Sequence, residues 1–99
     1  MSVLIDFSIF PVGRNESVSP YVSRAVRIIE NSGLTYNIGP MGTAVEGEWE
    51  ELMTMVTDCF NDLKKDCGRI YMTLKVDYRQ GSANRIEGKV KSVAKKSLG

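Results

Sequence analysis

The sequence predicts an α+β fold in which two helices pack on one face of a four-stranded antiparallel sheet. Three observations predict it. Apolar residues alternate at period two in four stretches and recur at helical spacing in two stretches between them. The order of these patterns along the chain is β-α-β-β-α-β. Glycine, proline and polar clusters mark the changeovers, where the backbone has to reverse. The 99 residues make one domain, 1–99, long enough to bury a core without disulfide staples.

Val3, Ile5, Phe7 and Ile9 alternate with Leu4, Asp6, Ser8 and Phe10, giving a first strand with one apolar and one mixed face. Pro11-Val12-Gly13 is expected to end it, and 14–17 is a polar loop. Ser19 is placed as an N-cap with Pro20 at the first helical position. Val22, Ala25, Val26 and Ile29 form that helix's apolar stripe, and Gly33 stops it. The second strand, 34–38, has Tyr36 and Ile38 on one face, Thr35 and Asn37 on the other. Gly39, Pro40 and Gly42 turn the chain into a third strand, with Val45 on one face and Ala44 and Glu46 on the other. Trp49, Leu52, Met53, Val56, Cys59, Phe60 and Leu63 then step by three and four, which predicts the longest helix and assigns Trp49 to the core. Glu48, Glu50 and Glu51 suit its positive end.

A fourth strand over 69–79 has Ile70, Met72, Leu74, Val76 and Tyr78 on one face, Tyr71, Thr73, Lys75, Asp77 and Arg79 on the other. Asn84 and Glu87 have capping-box spacing and open a last helix with Ile86, Val90 and Val93 as its apolar stripe. Its lysines 89, 91, 95 and 96 make a solvated basic face. The plan is the ferredoxin-like split βαβ with a C-terminal helix.

Composition excludes several functions. A net charge of +1 provides no field to recruit nucleic acid or an anionic membrane. No apolar run is long enough to span a bilayer. The first ten residues lack a basic leader and read as a strand, so a cytoplasmic location is expected. Cys59 and Cys67 are roughly 12 Å apart along a helix axis, too far for a disulfide. Cys59 falls on the apolar stripe as a small hydrophobe. The chain has no histidine, which removes the commonest general base, the commonest metal ligand and the Ser-His and Cys-His pairs. Neither catalysis nor a metal nor a cofactor is expected.

The sheet face away from the helices carries Asp6, Ser8, Phe10, Asn37, Glu46, Tyr71, Thr73, Lys75 and Asp77 by alternation. It can meet solvent, another subunit or a ligand. An RNA-recognition role needs more aromatic and basic residues there. A metallochaperone needs paired cysteines in the first loop, which has none. An anion-sensing module using Arg14, Arg69 or Arg79 at a subunit interface remains an alternative. A phosphate-ester hydrolase built on Arg14 and Asn37 is a weaker one, since the glycine-rich cradle before the first helix is missing. The stretch Gly39–Glu51 gathers a glycine turn, the carboxylate of Glu46 and a helix start, an arrangement suited to a small polar molecule.

Several segments carry a resemblance to a known family: Asp6-Phe7-Ser8-Ile9 with Pro11-Val12-Gly13, Val18–Val22, Ser32-Gly33-Leu34 with Tyr36, Pro40–Thr43 with Glu46-Gly47-Glu48, and Lys75–Arg79. They are spread through nearly the whole chain. Met-Gly-Thr-x-x-Glu-Gly is the most specific of them. On these residues the sequence resembles the small thiamine-binding proteins (YkoF-like). The resemblance implies a ferredoxin-like subunit, a homodimer formed by sheet extension, and pairing of dimers into a homotetramer. It implies binding of thiamine or its hydroxymethylpyrimidine part without turnover. An aminopyrimidine offers ring-nitrogen acceptors and an amino donor. Thr43 and Glu46 are the first candidates to meet them, then Asn37 and Ser8, with Gly42 allowing close backbone approach and Phe10 covering the ring. Tyr36 and Met41 could add apolar cover, and a thiazolium cation suits a carboxylate or an aromatic face.

Overall fold

The sheet is built around β1 (Val3–Pro11), whose alternating Val3, Ile5, Phe7 and Ile9 are all buried. In the computed structural model, which describes residues 2–13, 17–81 and 86, the element order is β1, α1 (Ser19–Asn31), β2 (Thr35–Ile38), β3 (Thr43–Gly47), α2 (Trp49–Lys64) and β4 (Ile70–Tyr78). The strands lie in the order β2-β3-β1-β4 and every neighbouring pair is antiparallel, the ferredoxin-like arrangement expected from the sequence. Arg14, Asn84, Glu87, Val90, Val93 and the basic face of the C-terminal helix lie outside the described residues.

The core lies between the sheet and the two helices. Ile5, Phe7 and Val45 from the sheet meet Ala25 and Ile29 of α1 and Leu52, Met55, Cys59 and Leu63 of α2. The helices are tied by Arg24, whose Nε donates to Asp62 Oδ2 at 2.9 Å and whose Nη1 donates to Asp66 Oδ2 at 2.8 Å. Its Nη2 also donates to the Asp62 carbonyl at 2.8 Å, so one guanidinium fork satisfies the end of α2 and fixes its distance from α1. Cys59 and Cys67 are both free and buried. Burial, followed by the neighbouring carboxylates of Asp58 and Asp62, pushes the Cys59 thiol up to about 12. It is therefore a neutral core side chain at physiological pH.

Four local expectations change. Strand β1 runs through Pro11 rather than stopping before it. Helix α1 begins one residue early, with Val18 as N-cap and Ser19 and Pro20 both in the first turn; the Ser19 N–H is met by Ser17 Oγ at 3.2 Å. Trp49, the first residue of α2, is 47 % exposed, and Phe60 is also exposed. Met55 takes the core position that the stripe through Trp49 and Phe60 missed. The fourth change concerns the face away from the helices, which is covered at one end. Leu4 and Glu46 are cross-strand partners on that face and both are buried, and the Ile86 backbone, itself buried, lies against Glu46.

Candidate functional site

The site arises from a mismatch in strand pairing. β1 pairs with β4 over nine residues, Val3 to Pro11, but with β3 over five, Val3 to Phe7. The β2–β3 hairpin closes beside Phe7, where the Gly39 N–H donates to the Gly42 carbonyl at 2.9 Å around Pro40 and Met41. From Ser8 to Pro11, β1 therefore has β4 on one side and, among the described residues, no strand on the other. α1 runs under this gap and the hairpin tip overhangs it. The result is a notch of about 320 Å³ lined by Ile9, Phe10, Val22, Val26, Ile38 and Thr43, among others. That size is at the small end of the range for small-molecule sites, roughly 300–1,000 Å³.

Two features explain why the sequence leaves the gap open. Gly42 approaches β1 so closely that a Cβ there would stand 2.6 Å from Asp6 Oδ1. This close approach lets the hairpin close immediately before Thr43. Pro11 has no N–H to give to a ladder, so it is tolerated in a strand only where that side has no partner.

Four of the six binding residues expected from the sequence line the notch: Ser8, Phe10, Gly42 and Thr43. Thr43 pairs with Phe7 and shares its helix-side face. It is 7 % exposed, and among the described residues its hydroxyl has no hydrogen-bond partner. The Ser8 and Thr73 hydroxyls are 2.6 Å apart across β1 and β4, on the opposite face. Next to them Phe10 and Tyr71 form an aromatic pair with centroids 5.6 Å apart and planes tilted by 34°. Val22, Val26 and Ile38 were not among the sequence candidates; only the register, which sets the hairpin beside α1, brings them together.

Asn37 and Glu46 are elsewhere. Asn37 is exposed on β2, opposite Ala44 and across β3 from the notch. Glu46 is three residues from Thr43, roughly 10 Å along the strand and on the other face, since an odd step in a strand reverses the side chain. It is 6 % exposed. Its Oε2 accepts from Ser2 Oγ at 2.8 Å and its Oε1 from the Ile86 N–H at 3.4 Å. This carboxylate fastens the two ends of the described chain to the sheet. Arg69 and Arg79 flank opposite ends of the nine-residue β4, roughly 30 Å apart, so a single subunit does not bring them to one anion. A wider groove of about 510 Å³ lies between the end of α1 and the start of α2, but Glu50, Glu51 and Asp58 on its rim are exposed to solvent.

The profile of the thiamine-binding proteins matches residues 5–94, nearly the whole chain. The chain belongs to the thiamine-binding protein family. Relatives within it include a UPF0045 protein of Methanocaldococcus jannaschii, 32 % identical over 92 % of this chain and 91 % of that one. A UPF0045 protein of Mycobacterium bovis is 35 % identical over 94 % and 92 %. The crystal structure of the Methanocaldococcus protein superposes with a TM-score of 0.84 at 31 % identity, covering 94 % of this chain and 96 % of that one. A Thermotoga maritima protein, provisionally named for thiamine biosynthesis or salvage, superposes with a TM-score of 0.84 at 30 % identity, covering 94 % and 99 %.

The position of Glu46 generates a prediction. Glu46→Gln weakens the hydrogen bonds from Ser2 and from the Ile86 N–H to a buried carboxylate and should cost about 1–3 kcal/mol of stability in urea unfolding. It should leave affinity for a ligand in the notch within about two-fold, because the two sites lie on opposite faces. A Glu46→Gln protein of unchanged stability that no longer binds ligand would return the carboxylate to the binding site.

Proposed function

We propose that the protein binds thiamine or its hydroxymethylpyrimidine part in the notch beside β1, holding the ligand without chemical turnover. The observation that carries this reading is the buried Thr43 hydroxyl, which faces a cavity and has no partner among the described residues. A buried hydroxyl without a partner costs free energy, and a ligand hydroxyl or amino group would relieve it. Family membership and the naming of the Thermotoga protein support a thiamine-related ligand. The apolar walls from α1 suit a flat ring, with Val22, Val26 and Ile29 beneath it.

The open side of the notch suits the rest of thiamine. Asp6 lies against the hairpin turn at Gly42, and the Phe10–Tyr71 pair stands beside Ser8. A thiazolium cation leaving the notch would meet a carboxylate and two aromatic faces. A chain without histidine offers few groups for chemistry on such a ligand, which favours a carrier or sensor over an enzyme in the cytoplasm.

The proposal extends to assembly. β4 is an edge strand of nine residues, and Met72, Val76 and Tyr78 on its helix side are exposed. A second copy pairing along β4 would continue the sheet and cover them, and such dimers could pair again into a tetramer. Sedimentation at micromolar concentration should then give a dimer or tetramer. Tyr78→Pro, which removes a backbone donor from the edge, should shift the protein toward monomer, and a wild-type monomer would contradict the assembly.

For the ligand, calorimetric titration with thiamine and with hydroxymethylpyrimidine should show saturable binding. Thr43→Val keeps the shape but removes the hydroxyl, and should weaken binding roughly 5- to 20-fold with little loss of stability. Absence of binding by the wild-type protein at millimolar ligand would overturn the reading.

A further inference from the structure

The backbone at Ile9 has a direction that the hydrogen bonds of the sheet determine. The Val12 N–H donates to the Arg69 carbonyl at 2.9 Å across the β4 side. In an antiparallel ladder a residue's N–H and C=O point to the same neighbour, and successive residues alternate. The even residues of β1 therefore face β4 and the odd ones face β3. The hairpin agrees independently. The Gly39 N–H meets the Gly42 carbonyl, so the even residues of β3 face β2 and Thr43, Val45 and Gly47 face β1, opposite Phe7, Ile5 and Val3. Pro11 agrees as well, because its missing N–H falls on an odd position and leaves the β4 ladder intact.

The next odd residue beyond Phe7 is Ile9, whose N–H and C=O point into the notch. Its partner in a longer β3 would have been Met41, which instead sits in the turn and is 89 % exposed. Ile9 itself is buried, so this donor and acceptor are sheltered from bulk water by Val22, Ala25, Val26 and Ile29 of α1. A buried donor–acceptor pair on a strand edge normally has a partner. The gap is one residue pair long and ends at the hairpin, so it is too short for an added strand and wide enough for a ring.

We propose that the unpaired β1 edge at Ile9 recognises a planar nitrogen heterocycle carrying an amino group beside a ring nitrogen, with the ring lying in the sheet plane where β3 would have continued. This rests on the notch being the ligand site. The Ile9 N–H donates to the ring nitrogen, and the amino group donates to the Ile9 carbonyl. The Thr43 hydroxyl, on the helix side, is left to meet a ring substituent. Specificity for the aminopyrimidine then comes from the main chain, and substitution of side chains on the open face leaves it intact.

The test is a nitrogen–proton NMR titration of the full chain with hydroxymethylpyrimidine and, in parallel, with an analogue in which carbon replaces the ring nitrogen next to the amino group. The Ile9 amide should move downfield and gain exchange protection with the pyrimidine. The analogue should bind at least roughly ten-fold more weakly and leave that amide unmoved. A semisynthetic chain with an ester in place of the Ile9 amide keeps the side chain, and should fold and lose affinity by a similar factor. If the notch amides respond while Ile9 does not, or if the ester chain binds as tightly as the natural one, the backbone reading is overturned while the ligand site stands. If no resonance near the notch responds to either compound, the proposed function fails with it.

Discussion

The structure depends on one inequality: the central strand is longer on one side than on the other. β1 is held for nine residues by β4 and for five by β3. The core draws on both stretches, Ile5 and Phe7 from the doubly paired part and Ile9 from the part paired to β4 alone. The remaining stretch keeps its rigidity from β4 and from α1 beneath it, yet presents an edge. A strand with one side unpaired is usually a hazard, because it offers bonding groups to any passing chain. Here the hairpin and α1 close around the edge and leave space for a small molecule only.

Rigid elements on every side give the notch its definition. Its floor is helix, one wall is a central strand and the roof is a two-residue turn locked by a bond from Gly39 to Gly42. Thr43 joins these parts, being the residue of β3 paired to β1 next to the gap, with a hydroxyl that has no hydrogen-bond partner among the described residues. The far end of the sheet does different work. There Glu46 holds Ser2 and Ile86, so a residue that resembles a ligand anchor in the sequence fastens the chain's own segments. One end of the five-residue β3 thus borders the notch and the other holds segments of the chain itself.

Most of the fold was legible because it rests on local periodicity. Alternation in 3–10 and the three-four stepping of Leu52, Val56, Cys59 and Leu63 name the buried face directly, whereas alternation in 70–78 gives the helix-side face of an edge strand on which Ile70 and Leu74 are partly buried and Met72, Val76 and Tyr78 are exposed. Trp49 was misplaced because periodicity gives a helix face and says nothing of what packs against that face at the first turn, where Trp49 is exposed. The site was legible in part. Of the six candidates, Ser8, Phe10, Gly42 and Thr43 line the notch, whereas Glu46 lies on the opposite face of β3 from Thr43, because an odd separation in a strand reverses the side chain. The notch itself could not be read, since it depends on the register between β1 and β3, a long-range property. Pro11 inside a central strand was the one local sign that a side of β1 lacks a partner there.

The decisive measurement is a crystal structure of the protein grown with hydroxymethylpyrimidine. The ring should lie in the notch, level with the sheet beside Ile9, within hydrogen-bonding reach of Thr43 and resting on Val22 and Val26. A ring bound on the opposite face around Glu46, Lys75 or Asp77, or an empty notch at saturating ligand, would contradict it.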